Sequence, residues 1–362
     1  MEKNTENIKL ILSKINYPGF NRDIVSFGIV KDIRLVDDNV YLSLSVKTND
    51  ENNKKIIENE IRKYLSKEFN FSDIKISFVV ESISQNNNNP NIKKIIAVSS
   101  CKGGVGKSTI ALNLALEISK NFKVGLLDLD IYGPSLSTLI NFNEQPKFDG
   151  NKIYPINKYG IELMSFGFIN NENSPTIWRG PMVSRMTQQF FDDVEWGDLD
   201  YLILDLPPGT GDIQLTLVQK IALDGAVIVT TPQQLSNIDV KKGSDMFNKV
   251  KTPIIGVIEN MSGLDINGKI LNYSENLNID INGQKITTDN DGNFSLKLNV
   301  FKGSSGESES SRLNLPLLGK IGLDPMLSEC CDTGDPYVLK YENTLVKKEF
   351  EKIASYITKN NN

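Results

Sequence analysis

The amino-acid sequence predicts a small α+β domain followed by a larger α/β domain with a doubly wound, mainly parallel sheet. From Lys93 onward, short apolar segments alternate with helical ones, which is typical of a parallel sheet. Just before that point, residues 85–90 form an asparagine-rich stretch that ends in proline, which is typical of a linker. We therefore expect domains at residues 1–84 and 93–362, joined by a linker at residues 85–92.

The predicted first domain consists of two helices and three strands. Residues 7–15 and 56–69 carry apolar side chains at helical spacing. Residues 40–46 alternate apolar and polar side chains, and residues 24–35 and 74–80 are also rich in strand-forming types. The order of these segments indicates an α+β unit.

The predicted strands of the larger domain bring polar residues to their carboxyl ends. We predict strands at residues 95–98, 124–127, 201–204, 226–230 and 254–258, and helices at residues 108–119 and 345–357. A glycine-rich loop, Asp128, Asp205 and Asn260 each follow closely on one of these strands. Because ligands of parallel sheets bind at the carboxyl ends of strands, one site can collect all four features.

Residues 265–300 differ from the rest of this domain and predict a polar β insert. Residues 284–288 and 294–300 alternate, and they flank Asp289-Asn290-Asp291-Gly292-Asn293. An Asp-Gly or Asn-Gly turn between alternating segments is typical of a hairpin. We therefore expect the two segments to pair with each other.

Composition excludes several kinds of chemistry. The chain has no histidine, which excludes histidine-based nucleophile systems, histidine general bases and histidine-ligated zinc. Its three cysteines provide neither a disulfide framework nor a Cys-x-x-Cys pair. The net charge of −5 argues against non-specific nucleic-acid binding, and no apolar run is long enough for a membrane span. With no signal pattern at the first residues, we expect a cytoplasmic protein.

The glycine-rich loop predicts phosphate binding. Its residues are Cys101, Lys102, Gly103, Gly104, Val105, Gly106, Lys107, Ser108 and Thr109. Glycines let backbone N–H groups turn toward phosphate oxygens, a lysine adds positive charge, and a serine hydroxyl can ligate Mg²⁺. A simple glycine turn is the alternative, which the strand before the loop and the helix after it disfavour. Cys101 stands where the usual phosphate loop has glycine.

The carboxylates are candidates for water activation and metal binding. Without histidine, a carboxylate must orient the attacking water, and phosphoryl transfer asks mainly for positioning and charge stabilisation. Asp128 and Asp130 both follow one strand, and either could instead be a turn or N-cap aspartate. Asp205 ends an apolar strand, which is the usual position of a carboxylate that holds Mg²⁺. Asn260 alone would be a turn residue.

Several motifs together resemble the Mrp/ApbC family of iron–sulfur cluster carrier ATPases, within the MinD/ParA class. They are Lys-Gly-Gly-Val-Gly-Lys-Ser-Thr at 102–109, Asp-Ile-Tyr-Gly-Pro-Ser at 130–135, Trp-Arg-Gly-Pro-Met at 178–182, Asp-Leu-Pro-Pro-Gly-Thr-Gly-Asp at 205–212, Asn-Met-Ser at 260–262, Pro-Leu-Leu-Gly at 316–319 and Asp-Thr-Gly-Asp-Pro at 332–336. The first domain resembles that of the iron–sulfur assembly factors. The resemblance covers most of the chain outside residues 265–300.

The resemblance implies a P-loop NTPase fold, ATP and Mg²⁺ as ligands, and a homodimer. Lys102 would reach across the dimer to the partner's phosphates, and Lys102, Lys107 and Asp130 would be the catalytic residues. Ser108 and Asp205 would hold Mg²⁺, with Asn260 at the adenine edge. The role of Arg179 stays open between the dimer interface and a surface ion pair.

The cysteines depart from the family pattern. Many members have a Cys-x-x-Cys pair after Asn-Met-Ser, and two pairs across the dimer would hold a [4Fe–4S] cluster, which needs about four thiolates. Residues 263–300 contain no cysteine. Cys330 and Cys331 are the remaining candidates, although adjacent side chains diverge, and the alternative is a pair of packed thiols.

Three functions follow as hypotheses. The first is an ATP-hydrolysing iron–sulfur cluster carrier that serves apoproteins or assembly factors. The second is a MinD/ParA-like ATPase switch, although an acidic chain shows neither a basic membrane helix nor a DNA-binding patch. The third is an ATP-dependent scaffold that has lost cluster binding and holds a partner with the insert.

Overall fold

The computed structural model divides the chain into two compact units, residues 1–84 and 85–362. It describes residues 3–16, 23–25, 29–46, 51–80, 91–142, 144–150, 152–169, 186–187, 189–272, 279–281 and 283–360. The Trp-Arg-Gly-Pro-Met motif with Arg179, and residues 85–90 of the predicted linker, lie outside the described residues.

The smaller unit is a three-stranded sheet packed against two helices. Its elements are α1 (Thr5–Leu12), β1 (Val30–Val36), β2 (Asn39–Val46), α2 (Glu51–Glu68) and β3 (Asp73–Val80). β2 is antiparallel to β1 and parallel to β3, and apolar side chains of both helices and the sheet form a core of their own. The predicted first strand was too long: it begins at Val30, because Ile24 lies in a turn and donates its N–H to the Ile15 carbonyl.

The larger unit is built around one mainly parallel sheet. Its strands are β4 (Ile92–Ser100), β5 (Val124–Asp128), β6 (Lys147–Asp149), β7 (Lys152–Tyr154), β8 (Ile156–Lys158), β9 (Ile161–Ser165), β10 (Leu199–Asp205), β11 (Gly225–Thr230), β12 (Ile254–Lys269), β13 (Ile279–Ile281), β14 (Gln284–Ile286), β15 (Asn293–Leu298) and β16 (Leu317–Leu323). Within the described residues, nine strands form this sheet in the order β15–β12–β11–β4–β10–β5–β9–β8, with β16 also on β12. All neighbours are parallel except β8 with β9 and β15 with β12. The doubly wound α/β prediction is confirmed.

Helices complete the larger unit. They are α3 (Lys107–Ser119), α4 (Leu136–Leu139), α5 (Phe166–Ile169), α6 (Asp212–Lys220), α7 (Ser236–Lys249), α8 (Ser305–Leu313), α9 (Pro325–Thr333), α10 (Tyr337–Lys340) and α11 (Leu345–Asn360). Among the helices that the structure describes, none has both the length and the apolar character needed to cross a bilayer.

The first strand of the larger unit, β4, lies where the chain changes direction across the sheet. It is flanked by β10 and β11, and the chain visits β5 and β10 on one side before it visits β11 and β12 on the other. Such a switch point opens a crevice at the carboxyl ends of the strands. The glycine-rich loop follows β4 directly, so it lies in this crevice.

The β insert differs from its prediction. The strand predicted at residues 254–258 continues to Lys269, and the part beyond Gly263 pairs antiparallel with β15. The turn at residues 289–293 forms, but its flanks do not pair with each other: β14 pairs with β13, and β15 pairs with β12. The long extension of β12 gives β15 six paired residues where the three-residue β14 could give only three, and therefore satisfies more backbone groups.

Candidate functional site

The glycine-rich loop needs its glycines for conformational reasons. Gly104 and Gly106 have φ values of +77° and +81°, in the left-handed region that favours glycine. A Cβ atom on Gly106 would also overlap the side-chain nitrogen of Asn260. α3 begins at the next residue, so the loop's backbone N–H groups and the helix N-terminus together form an arrangement that suits an anion.

Asn260 braces this loop from β12. Its side chain is buried, and its Nδ2 donates to the Val105 carbonyl at 2.8 Å. The structure therefore gives Asn260 a supporting contact that sequence reasoning missed, since no local pattern links two residues so far apart. A role for this residue at the adenine edge stays a prediction.

Lys107, Ser108 and Asp205 meet at the mouth of the loop. Lys107 and Asp205 form an ion pair with both side chains almost fully buried, at 6% and 3% exposure. The Lys107 ammonium also lies 3.3 Å from the Ser108 hydroxyl. Burial raises the pKa of Asp205, and the contact with Lys107 opposes that rise. Two oxygen donors and one lysine are thus grouped as the sequence predicted.

Asp128 lies beside Asp205 on the adjacent strand and organises the segment that follows it. β5 and β10 pair these two aspartates in register. Asp128 accepts hydrogen bonds from the Asp130 N–H at 3.0 Å, the Leu136 N–H at 3.4 Å and the Ser165 hydroxyl at 3.0 Å. Burial, and next the charge of Asp205, raise the pKa of Asp128 to about 7. Asp128 therefore fixes the chain that carries Asp130.

Ser165 is a site residue that sequence reasoning missed. It is fully buried at the end of β9, in register with Asp128 on β5. One signal was available: like Asp128 and Asp205, Ser165 is the polar residue that ends an apolar strand. β9 is as long as β5, but the charged Glu162 interrupts its apolar run and hid that pattern.

Asp130 lies in a turn close to the loop. It is 9% exposed, and its Oδ1 accepts the Gly133 N–H at 3.2 Å. The turn contact is the alternative that the sequence left open, and it holds the carboxylate in place. Water activation by Asp130 stays a prediction.

Lys102 is exposed, in contrast to Lys107. Within the part of the chain that the structure describes, its ammonium has no hydrogen-bond or ion-pair partner. Three large apolar side chains that follow the carboxyl ends of β5 and β11 are exposed as well: Tyr132 at 65%, Leu235 at 78% and Ile238 at 65%. This edge of the sheet thus presents an exposed positive charge together with apolar surface.

The three thiols are free but packed. Cys330 is buried in the core, and Cys331 is half-buried with its Sγ 3.4 Å from the Thr109 hydroxyl. Cys101 packs on α7, where its thiol lies 3.7 Å from the Val240 carbonyl. Burial raises all three thiol pKa values, that of Cys101 to about 12. Among the described residues, no group of three or more Cys, Asp or Glu side chains is arranged to hold a metal ion.

The raised pKa of Asp128 predicts how stability depends on pH. The folded chain keeps this carboxyl protonated at pH values where the unfolded chain, with a pKa of about 4, has ionised it. Stability should therefore fall as pH rises from about 4 to about 7. We expect Asp128→Asn to flatten this slope, as measured by denaturant unfolding across that range. An unchanged slope would show that the raised pKa of Asp128 does not cause the pH dependence of stability.

Comparison with known proteins places this chain in a family. A family model described as NUBPL iron-transfer P-loop NTPase, of the ParA type, matches residues 91–276 and 284–358. The chain belongs to this family. The match confirms the resemblance drawn from the motifs, and within the insert at 265–300 it leaves out only residues 277–283.

Several relatives of this P-loop NTPase are named iron-sulfur cluster carrier proteins. The iron-sulfur cluster carrier protein of Helicobacter pylori is 36% identical over 359 residues, covering 96% of this chain and 90% of that protein. That of Aquifex aeolicus is 42% identical over 273 residues, covering 74% of this chain and 68% of that protein. The first alignment is long enough to include most of the smaller unit.

Solved structures agree on the fold. A nucleotide-binding protein from Archaeoglobus fulgidus, in complex with ADP, is 31% identical, with a TM-score of 0.54 over 68% of this chain and 88% of that one. The cell division ATPase MinD of Pyrococcus furiosus is 19% identical, with a TM-score of 0.51 over 74% of this chain and 98% of that one. At this identity the similarity concerns the fold alone.

Proposed function

We propose that this chain binds and hydrolyses ATP as a homodimer, and that hydrolysis drives the delivery of iron–sulfur clusters to apoproteins or assembly factors. The observation that supports it best is the contrast between two lysines of one loop. Lys107 is buried on Asp205 inside the loop, whereas Lys102 is exposed at the same edge and has no partner among the residues that the structure describes. One lysine is available to the nucleotide of its own chain and the other to that of a second chain.

The residues at the loop suit ATP with Mg²⁺. A hydroxyl and a carboxylate, from Ser108 and Asp205, are hard oxygen donors of the kind that Mg²⁺ prefers. When bound there, Mg²⁺ would neutralise charge on the phosphate oxygens. Lys107 would leave Asp205 for the phosphates, so the ion pair keeps two buried charges compensated until nucleotide arrives. Asp130, held in its turn by Gly133, would orient the attacking water.

The cluster is the cargo in this proposal, and it rests on the names of the relatives. A bridging cluster needs about four thiolates, and each chain has three cysteines. The two candidate ligands, Cys330 and Cys331, point into the core and onto Thr109. These positions favour a second candidate function: an ATP-dependent scaffold for cluster assembly whose partner supplies the thiols.

The iron content of the protein separates these two functions. Anaerobic reconstitution with iron and sulfide, followed by iron and sulfide analysis and the visible absorbance of the cluster, should give bound cluster for a carrier. Cys330→Ser and Cys331→Ser in parallel would show whether these thiols hold it. No bound iron at any ratio would exclude a carrier and favour the scaffold, and the ATPase proposal would be unaffected.

A further inference from the structure

Cys101 on the phosphate loop packs closely against Gly243 on α7. A Cβ atom placed on Gly243 would overlap the thiol sulfur of Cys101, yet it would lie 3.5 Å from the Cys101 Cβ and 3.7 Å from the Thr210 methyl group. The sulfur is therefore the only one of these atoms that requires a glycine at position 243. The cysteine replaces a glycine of the usual phosphate loop, and a second glycine on α7 makes room for it.

The contact lies where three segments meet. Cys101 follows β4, Thr210 belongs to the loop after β10, and Gly243 lies on α7. The loop after β10 is tied to the same point, because the Gly209 N–H donates to the Ser100 carbonyl at 2.9 Å. The residues on either side of Cys101 are also joined, because the Ser100 hydroxyl donates to the Lys102 carbonyl at 3.0 Å. Any displacement of Cys101 would therefore shift the residues on both sides of it.

We infer that Gly243 is a positioning residue for the phosphate loop and that it acts as a matched pair with Cys101. The missing side chain on α7 lets the thiol settle against the helix, which sets the curvature of the loop and the direction of its phosphate-facing N–H groups. A methyl group at position 243 would push the thiol, and with it the start of the loop, away from α7. Gly243 acts through Cys101 and not by contact with the nucleotide.

A double-mutant cycle tests the pair by comparing the Kd for ATP in the wild type, Gly243→Ala, Cys101→Ala and the double variant. We expect Gly243→Ala to raise the Kd about tenfold or more in the wild-type background, and less than about twofold in the Cys101→Ala background. Alanine favours helices more than glycine does, so a loss of affinity would not arise from a weaker α7. Lys242→Ala, on the exposed face of the same helix, is the control and should leave the Kd unchanged.

An equal rise of the Kd in both backgrounds, or no rise in either, would overturn the inference. If Gly243→Ala alone does not fold, recovery of folded protein in the double variant would support the pairing, and continued failure would overturn it. The inference rests on ATP binding at this loop, which is part of the proposed function. If wild-type protein bound no ATP, that function would fail, whereas the melting temperatures of the four proteins would still test the pairing.

Discussion

Replacing Lys107 with alanine is expected to lower kcat/KM for ATP by about 100- to 1,000-fold, the range seen when one preorganised charge-stabilising group is removed. Lys107 is the cation inside the loop, and no histidine exists to replace it. The same change leaves Asp205 buried without its ion partner. Because an uncompensated buried charge costs about 3–5 kcal/mol, we also expect a clear loss of unfolding free energy.

A double variant separates these two effects. Lys107→Ala with Asp205→Asn removes both charges and should recover much of the lost stability, as measured by denaturant unfolding, while ATP hydrolysis stays low. Wild-type hydrolysis in Lys107→Ala, or its recovery in the double variant, would contradict the role proposed for Lys107.

Replacing Lys102 with alanine is expected to have a different result. Its side chain is exposed and unpartnered within the described residues, so the chain should keep its fold and bind ATP with a Kd within about threefold of wild type. Hydrolysis should fall by about 100-fold or more, as expected when a cation supplied from a partner is lost. Lys348→Ala, at an exposed lysine of α11, is the matched control and should hydrolyse ATP normally.

Mixing variants tests whether Lys102 acts on the partner's nucleotide. A mixed dimer of Lys102→Ala with Asp130→Asn has one site with an intact Asp130 that receives Lys102 from the other chain. We expect equal mixing to restore about a quarter of the wild-type rate, because half of the dimers are mixed and each has one working site. If mixing restores nothing above the sum of the two variants, Lys102 does not act across the interface.

The sequence allowed the main features of the larger unit to be predicted because they depend on local patterns. Apolar runs ending in Asp128 and Asp205, and a glycine loop between a strand and a helix, need only neighbouring residues to be recognised. That Asp205 lies beside the glycine-rich loop followed from the shared edge of a parallel sheet, whereas its ion pair with Lys107 was not predicted. The packed positions of Cys330 and Cys331 agree with the alternative that the sequence left open for them.

Contacts between distant segments could not be predicted in the same way. The support that Asn260 gives to Val105, and the fit of Cys101 against Gly243, join residues more than a hundred positions apart. The pairing of β15 was misassigned because turn chemistry at residues 289–293 indicates a reversal of the chain but not which strand receives the next segment. In each case the tertiary environment determined the outcome.

We expect the homodimer proposed above to form when ATP is bound, through the edge that carries Lys102. The most direct test is the molecular mass by light scattering of the Asp130→Asn variant, which should bind ATP without consuming it. With ATP and Mg²⁺ the mass should double from the 40.4 kDa of one chain, and with ADP or no nucleotide it should not. An unchanged mass under all three conditions would contradict the account.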